Sequence, residues 1–198
     1  MNTVCGTAYN SMTSAGGRVL EHANDSVLPI VDHRLYALLS YWLALRDGRS
    51  IPNRQDFDPT KVPFLLNGFW ILKRDAATGR YRFHLAGEEI RSLLGRRIVG
   101  EYVDDLFVEH GRQFTETLDQ VTSMPGIHHM IGSAYQSGRH GVHTERLALP
   151  MADNGVIDTV FGATVYQWPT AVLAGVARFS GTATQAVVPI SVLDRTAR

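Results

Sequence analysis

The 198-residue chain has a single cysteine, Cys5, which excludes an intramolecular disulfide and any multi-cysteine metal site. That scarcity suits a reducing compartment. There is no excess of charge of either sign: 19 Lys+Arg balance 19 Asp+Glu, and formal net charge is +0. A nucleic-acid binder working through a broad basic surface is therefore not expected. Long apolar runs are missing as well. The most apolar window, Ala37 to Leu45, is interrupted by Ser40 and falls far short of the ~20 residues that span a bilayer. No basic residue precedes Arg18 and no apolar run follows Met1, so the N-terminus is not read as a signal peptide. The expectation is a cytoplasmic protein without membrane contact.

What is present is a normal core supply. Hydrophobic residues make up 44% of the chain, enough for one domain and against wholesale disorder. Residues 1–27, rich in Ser, Thr, Gly and Asn without a period, read as a mobile arm. The patterned region is 28–168. Residues 169–198 read as an extension in which the apolar Ala171 to Ala177 forms a short strand or helix before a small, polar tail.

Leu35, Leu38, Leu39, Trp42 and Leu45 repeat at helical spacing behind Asp32, a natural N-cap. Two prolines and two aspartates between Ile51 and Pro59 then deny a long helix. Phe69 to Lys73 and Tyr81 to Leu85 read as strands around an Ala76-Ala77-Thr78-Gly79 turn. Glu88 to Leu94 and Glu109 to Thr122 read as helices, ended by Gly95 and by Pro125-Gly126. Three strands follow, Ile127 to Tyr135, Val142 to Leu149 and Val156 to Tyr166, with Asn154-Gly155 as a hairpin signal. The expected fold class is α+β: a five-stranded antiparallel sheet with helices inserted after the second strand, one face covered by those helices, and an N-terminal flanking helix.

This order resembles a PAS domain. Tyr41-Trp42, Leu45-Arg46-Asp47-Gly48-Arg49, Pro52, Arg54, Asp56-Phe57-Asp58-Pro59 and Val62-Pro63 resemble the opening motif of a compact bacterial PAS-like family. Arg82-Phe83-His84-Leu85-Ala86-Gly87 is similar to its second strand. Gly138-Arg139 with Glu145-Arg146-Leu147-Ala148-Leu149-Pro150 is similar to its fourth. The resemblance covers residues 28–168 and implies a PAS fold with a sensory or regulatory role. It names no ligand or cofactor. The cysteine-containing motif of flavin-adduct photosensors is absent.

Histidines 128, 129, 140 and 143 cluster in sequence, but across a hairpin the two pairs lie ~13 Å or more apart at ~3.3 Å per residue, too far for one metal. No catalytic motif stands out: neither a Gly-x-Ser-x-Gly elbow nor a His-Glu-x-x-His occurs. Glu145 shares a strand face with His143, Leu147 and Leu149. If that face is inward, the carboxylate either pairs with a nearby Arg or His or orients a ligand. The expected cavity is walled by Phe83, Leu85, Ile90, Leu94, Met130, Leu147 and Phe161, with Glu145 as its polar contact. The stripe Leu35, Leu38, Leu39 and Trp42 is either a core face or a surface for a second protomer. Arg46, Arg49 and Arg54 read as a local ion-pair network. The leading expectation is a non-enzymatic module that binds a small ligand and signals through a protein partner or a homodimer. A ligand-free interaction adaptor and a small α+β enzyme are the alternatives, because fold does not fix function.

Overall fold

The computed structural model describes residues 28–137, 139–168 and 178–196. The N-terminal arm and the Ala171 to Ala177 segment lie outside the described residues.

Helix α1 (His33–Leu45) comes first. The Asp32 carboxylate accepts from Arg34 N and so satisfies a first-turn amide. Three short 3₁₀ turns follow, Arg54–Asp56, Pro59–Lys61 and Pro63–Leu65, each consistent with the proline and aspartate punctuation. Strands β1 (Phe69–Arg74) and β2 (Tyr81–Ala86) form a hairpin. Helices α2 (Glu88–Leu94), α3 (Val103–Leu106) and α4 (Gly111–Ser123) are inserted next. Strands β3 (Gly126–Ser137), β4 (His140–Asp153) and β5 (Val156–Gln167) then run as an antiparallel meander. Asn154 and Gly155 both have positive φ, 50° and 81°, which is the backbone a two-residue hairpin turn demands.

Among the described residues the sheet has six strands, not five, in the order β2-β1-β5-β4-β3-β6. The sixth, β6 (Arg178–Pro189), pairs antiparallel with β3 from Gly126↔Pro189 to Gln136↔Arg178 and leads into α5 (Ile190–Thr196). This strand includes the small polar residues expected to be tail.

Both faces of the sheet are covered. On one lie α1 and the 3₁₀ segment, with Leu35, Leu38, Leu39, Trp42, Leu65, Phe69, Leu147, Leu149, Phe161 and the α5 residues Ile190 and Leu193 in one core. On the other lie α2, α3 and α4 over Trp70, Leu72, Tyr81, Phe83, Ala148 and Val160. Trp42 ties α1 to the sheet, its Nε1 donating to Pro150 O at 2.9 Å. The Leu35–Trp42 stripe is therefore an internal face. Leu35, Leu38 and Trp42 are 0% exposed and Leu39 is 1%, so the expectation that this stripe meets a second protomer is corrected: its own sheet already covers it.

Two register shifts decide which side chains reach which face. In β1–β2, Leu72 pairs with Phe83 but Ile71 with Leu85, so His84 is skipped and the alternation inverts. In β3 the register shifts between Gly132 and Tyr135, and consecutive residues Ala134 and Tyr135 both bury in the cluster around Leu93, Met130 and Val142. At the close approach of β1 to β5, Trp70 lies over Gly162. A Cβ there would sit 2.2 Å from Leu147 O and 2.7 Å from the indole.

Candidate functional site

Between the sheet and the inserted helices lies a cavity of about 50 Å³. Its walls are mostly apolar: Trp70 and Leu72 from β1, Phe83 from β2, Ile90, Leu93 and Leu94 from α2, and Phe114, Leu118 and Val121 from α4. Apart from Thr117 of α4, the polar groups come from the sheet: His128 and Tyr135 of β3, Arg146 of β4, and Thr164 and Tyr166 of β5.

Arg146 is the single cation among the wall residues. In the middle of β4 the even positions Arg146 and Ala148 line this cavity, on the side of the inserted helices. Its Nε donates to Thr164 Oγ1 at 3.2 Å, and its Nη2 donates to Tyr135 Oη. Thr164 Oγ1 also accepts from Trp70 Nε1 at 3.1 Å, which fixes the indole. The guanidinium carbon lies 5.8 Å from the Phe114 ring centre and 5.9 Å from that of Tyr135, within cation–π range. All these partners are neutral, and among the described residues no carboxylate pairs with Arg146.

The neighbouring titratable groups are held neutral. Burial, reinforced by the Arg146 charge, lowers the His128 pKa to about 4. Its Nε2 lies 3.2 Å from Gln185 Oε1 on β6. Burial pushes the Tyr166 hydroxyl well up. A second hollow, of about 290 Å³, lies between α4 and β6 and is lined by Gln113, Glu116, Gln120 and Gln185; Thr117 and His128 border both spaces.

Of the residues expected at the cavity, Phe83, Ile90 and Leu94 form its wall. Met130 is buried on the same side of the sheet but does not border the space. Leu85 is corrected: the β1–β2 register shift turns it away, and it is 40% exposed. Glu145, Leu147 and Phe161 are also corrected. They lie on the opposite face, toward α1, because odd positions of β4 and β5 point there.

Glu145 has a different setting, equally well defined. Its Oε1 accepts from Val31 N at 2.8 Å and lies 2.8 Å from His129 Nε2, and its Oε2 accepts from Asp32 N at 2.7 Å. Burial pushes this carboxyl up, but the His129 and backbone N–H donors outweigh it and hold the pKa below the usual carboxylate value. The pairing with a nearby histidine is one of the two roles the sequence suggests. The carboxylate anchors the chain where it enters α1.

The other expected clusters resolve simply. Arg49 pairs with Asp56 at 2.5 Å and donates to the Arg46 and Leu45 carbonyls, closing the α1 exit, whereas Arg54 reaches His84 at 3.5 Å instead. His128 and His129 pair with Ala148 and Leu147, while His140 pairs with Ser137 at the hairpin tip. Among the described residues no group of three or more His, Cys, Asp or Glu is placed to hold a metal. No helix among them is long and apolar enough to cross a membrane.

Arg146 lies on the face of β4 opposite Glu145, as alternation requires, but the cavity is on that face and not on the one expected. The signal that locates Arg146 is the run Leu147-Ala148-Leu149-Pro150-Met151-Ala152, which has no polar alternate. Such a run marks a strand buried on both faces, so its two polar neighbours, Glu145 and Arg146, must both point inward, to opposite sides.

An antiparallel sheet with β1 central beside β5, helices inserted between β2 and β3, and a cavity beneath those helices defines the PAS class. The PAS domain family model matches residues 31–165, about two thirds of the chain, and the chain belongs to that family. No curated protein and no solved structure matches it. Domains of this family are typically sensory or regulatory modules rather than enzymes.

Proposed function

We propose that this chain is a ligand-responsive sensory module: the cavity takes a compact ligand, and a protein partner reads the change through the sheet. The observation that carries this is the adjacency of Arg146 and Glu145. One borders the cavity, and the next residue along the same strand holds the amides of Val31 and Asp32 at the entry to α1. A ligand that shifts β4 at Arg146 acts on Glu145 through a single peptide unit, and so on the helix that covers the far face. The mostly apolar walls with a few convergent polar groups support the ligand half of this reading.

Native mass spectrometry of freshly purified full-length protein tests occupancy. A stoichiometric bound small molecule supports the sensor, and a clean protein mass favours the ligand-free adaptor. For the coupling, ¹H–¹⁵N spectra recorded as that molecule is removed and restored should show the Val31 and Asp32 amides moving together with Arg146. Shifts confined to the cavity walls would refute the transmission route.

A further inference from the structure

We propose that the cavity selects a compact organic monoanion, a short carboxylate whose head docks on Arg146 and whose apolar body lies against Leu72, Phe114 and Leu118. This rests on the sensory reading above and specifies its ligand. Three observations lead to it. First, a guanidinium carries five N–H donors in a fork suited to carboxylates. Here one goes to Thr164 and one to Tyr135, and among the described residues no further hydrogen-bond acceptor meets Arg146. Second, half-buried Arg146 borders a mostly apolar space, where a cation without a counter-charge is costly, and among the described residues no carboxylate forms an ion pair with it. Of the acidic groups around the cavity, Glu89 of α2 acts electrostatically on Tyr166 and interacts with Arg34, and Glu116 lines the outer hollow and is paired with Arg112 at 2.9 Å. Third, the site offers only one positive charge. His128 is held neutral and Tyr166 keeps its proton, so both are uncharged hydrogen-bonding neighbours. A single cation matches a monoanion and not a phosphate dianion.

Size narrows the class. A water needs about 10–15 Å³ of such volume, so 50 Å³ corresponds to about three to five water-sized groups. Propionate, with a carboxylate and a two-carbon tail, is of that scale. The hollow between α4 and β6 provides the approach, past Thr117 and His128.

The test compares propionate and butyrate with their isosteric amides, propionamide and butyramide, by ¹H–¹⁵N titration of the full-length protein at pH 7. The acids should bind at least about tenfold more tightly than the amides, the margin expected of charge-assisted bonds. The Arg146 Nε–H resonance should be among those that move. Arg146→Gln should reduce the preference to within about twofold, and Arg146→Lys, which keeps the charge but not the fork, should retain part of it. The wild-type comparison stands by itself should the Gln variant fail to fold. Acids and amides binding equally well would overturn the anion assignment and leave the sensory reading in place. If native mass spectrometry finds a bound molecule that is uncharged, the same conclusion follows. A clean protein mass together with no binding by any of the four probes would overturn both.

Discussion

Acidification from pH 7 to pH 5 should weaken the fold by about 2 kcal/mol through His128 alone. This side chain is 5% exposed, faces the cavity from β3, and has its pKa lowered by burial and then by Arg146 to about 4. In the unfolded chain it titrates near the ordinary 6.5. The unfolded state therefore takes up a proton that the folded state refuses. The stabilisation is present above pH 6.5 and drains away as pH falls toward 4. At pH 5 the unfolded imidazole is about 97% protonated and the folded one about 10%, which gives the 2 kcal/mol by linkage. The whole window amounts to about 3 kcal/mol. Glu145 titrates below the usual carboxylate value, so its contribution is lost only at lower pH, outside this interval. Urea unfolding followed by circular dichroism at pH 7, 6 and 5 measures the slope, and His128→Gln isolates the residue. The variant should lose about 2 kcal/mol less than wild type between pH 7 and pH 5. Equal losses in the two proteins would refute the assignment of the pH dependence to this side chain.

Three other perturbations have defined outcomes. Glu145→Ala strips an acceptor from the Val31 and Asp32 amides and from His129; chemical denaturation should show a loss of about 3 kcal/mol, with Glu145→Gln losing about half of that. A cost below about 1 kcal/mol for the alanine variant would contradict an anchoring role. Gly162→Ala drives a methyl into Leu147 O and the Trp70 ring and should cost about 3 kcal/mol or more in a thermal melt; a near-neutral result would mean that both the β4 backbone at Leu147 and Trp70 give way. Deleting residues 178–198 removes β6 and α5 and bares the whole β3 edge, so light scattering should show aggregation. A monodisperse, fully folded truncation would show that β6 is dispensable.

The parts of the fold that were legible in the sequence are those where one local signal dominates. Asp32 and the leucine stripe define α1, Gly95 ends α2 and Asn154-Gly155 sets the β4–β5 turn. Strand β6 escaped because its stretch Ser180-Gly181-Thr182-Ala183-Thr184 has no apolar alternation. It is an edge strand, held by backbone pairing to β3 more than by buried side chains. The site was misplaced for a related reason. Alternation identifies which residues share a face, and Glu145, Leu147 and Leu149 do share one. It cannot say which face holds the cavity when both are covered. Leu85 was further displaced by the β1–β2 register shift, which skips a residue without any mark in composition. The Leu35–Trp42 stripe shows the complementary limit: periodicity establishes that a face is buried, but only the sheet beneath it shows by what.

The pairing of β1 with β5 also sets the order in which the molecule can assemble. Strands β3, β4 and β5 are joined by short turns and can zip together from neighbouring contacts. Phe69, by contrast, meets Ala163, 94 residues further along the chain. Bringing those two together encloses α2, α3 and α4 and the whole meander in one loop, whose entropy must be overcome before any contact across it is gained. The meander is therefore the natural nucleus, and the hairpin carrying Trp70 docks afterwards. Substitutions within the meander should slow refolding, and those in β1 should chiefly hasten unfolding. The cavity, which needs walls from both halves, comes into being only at that last step.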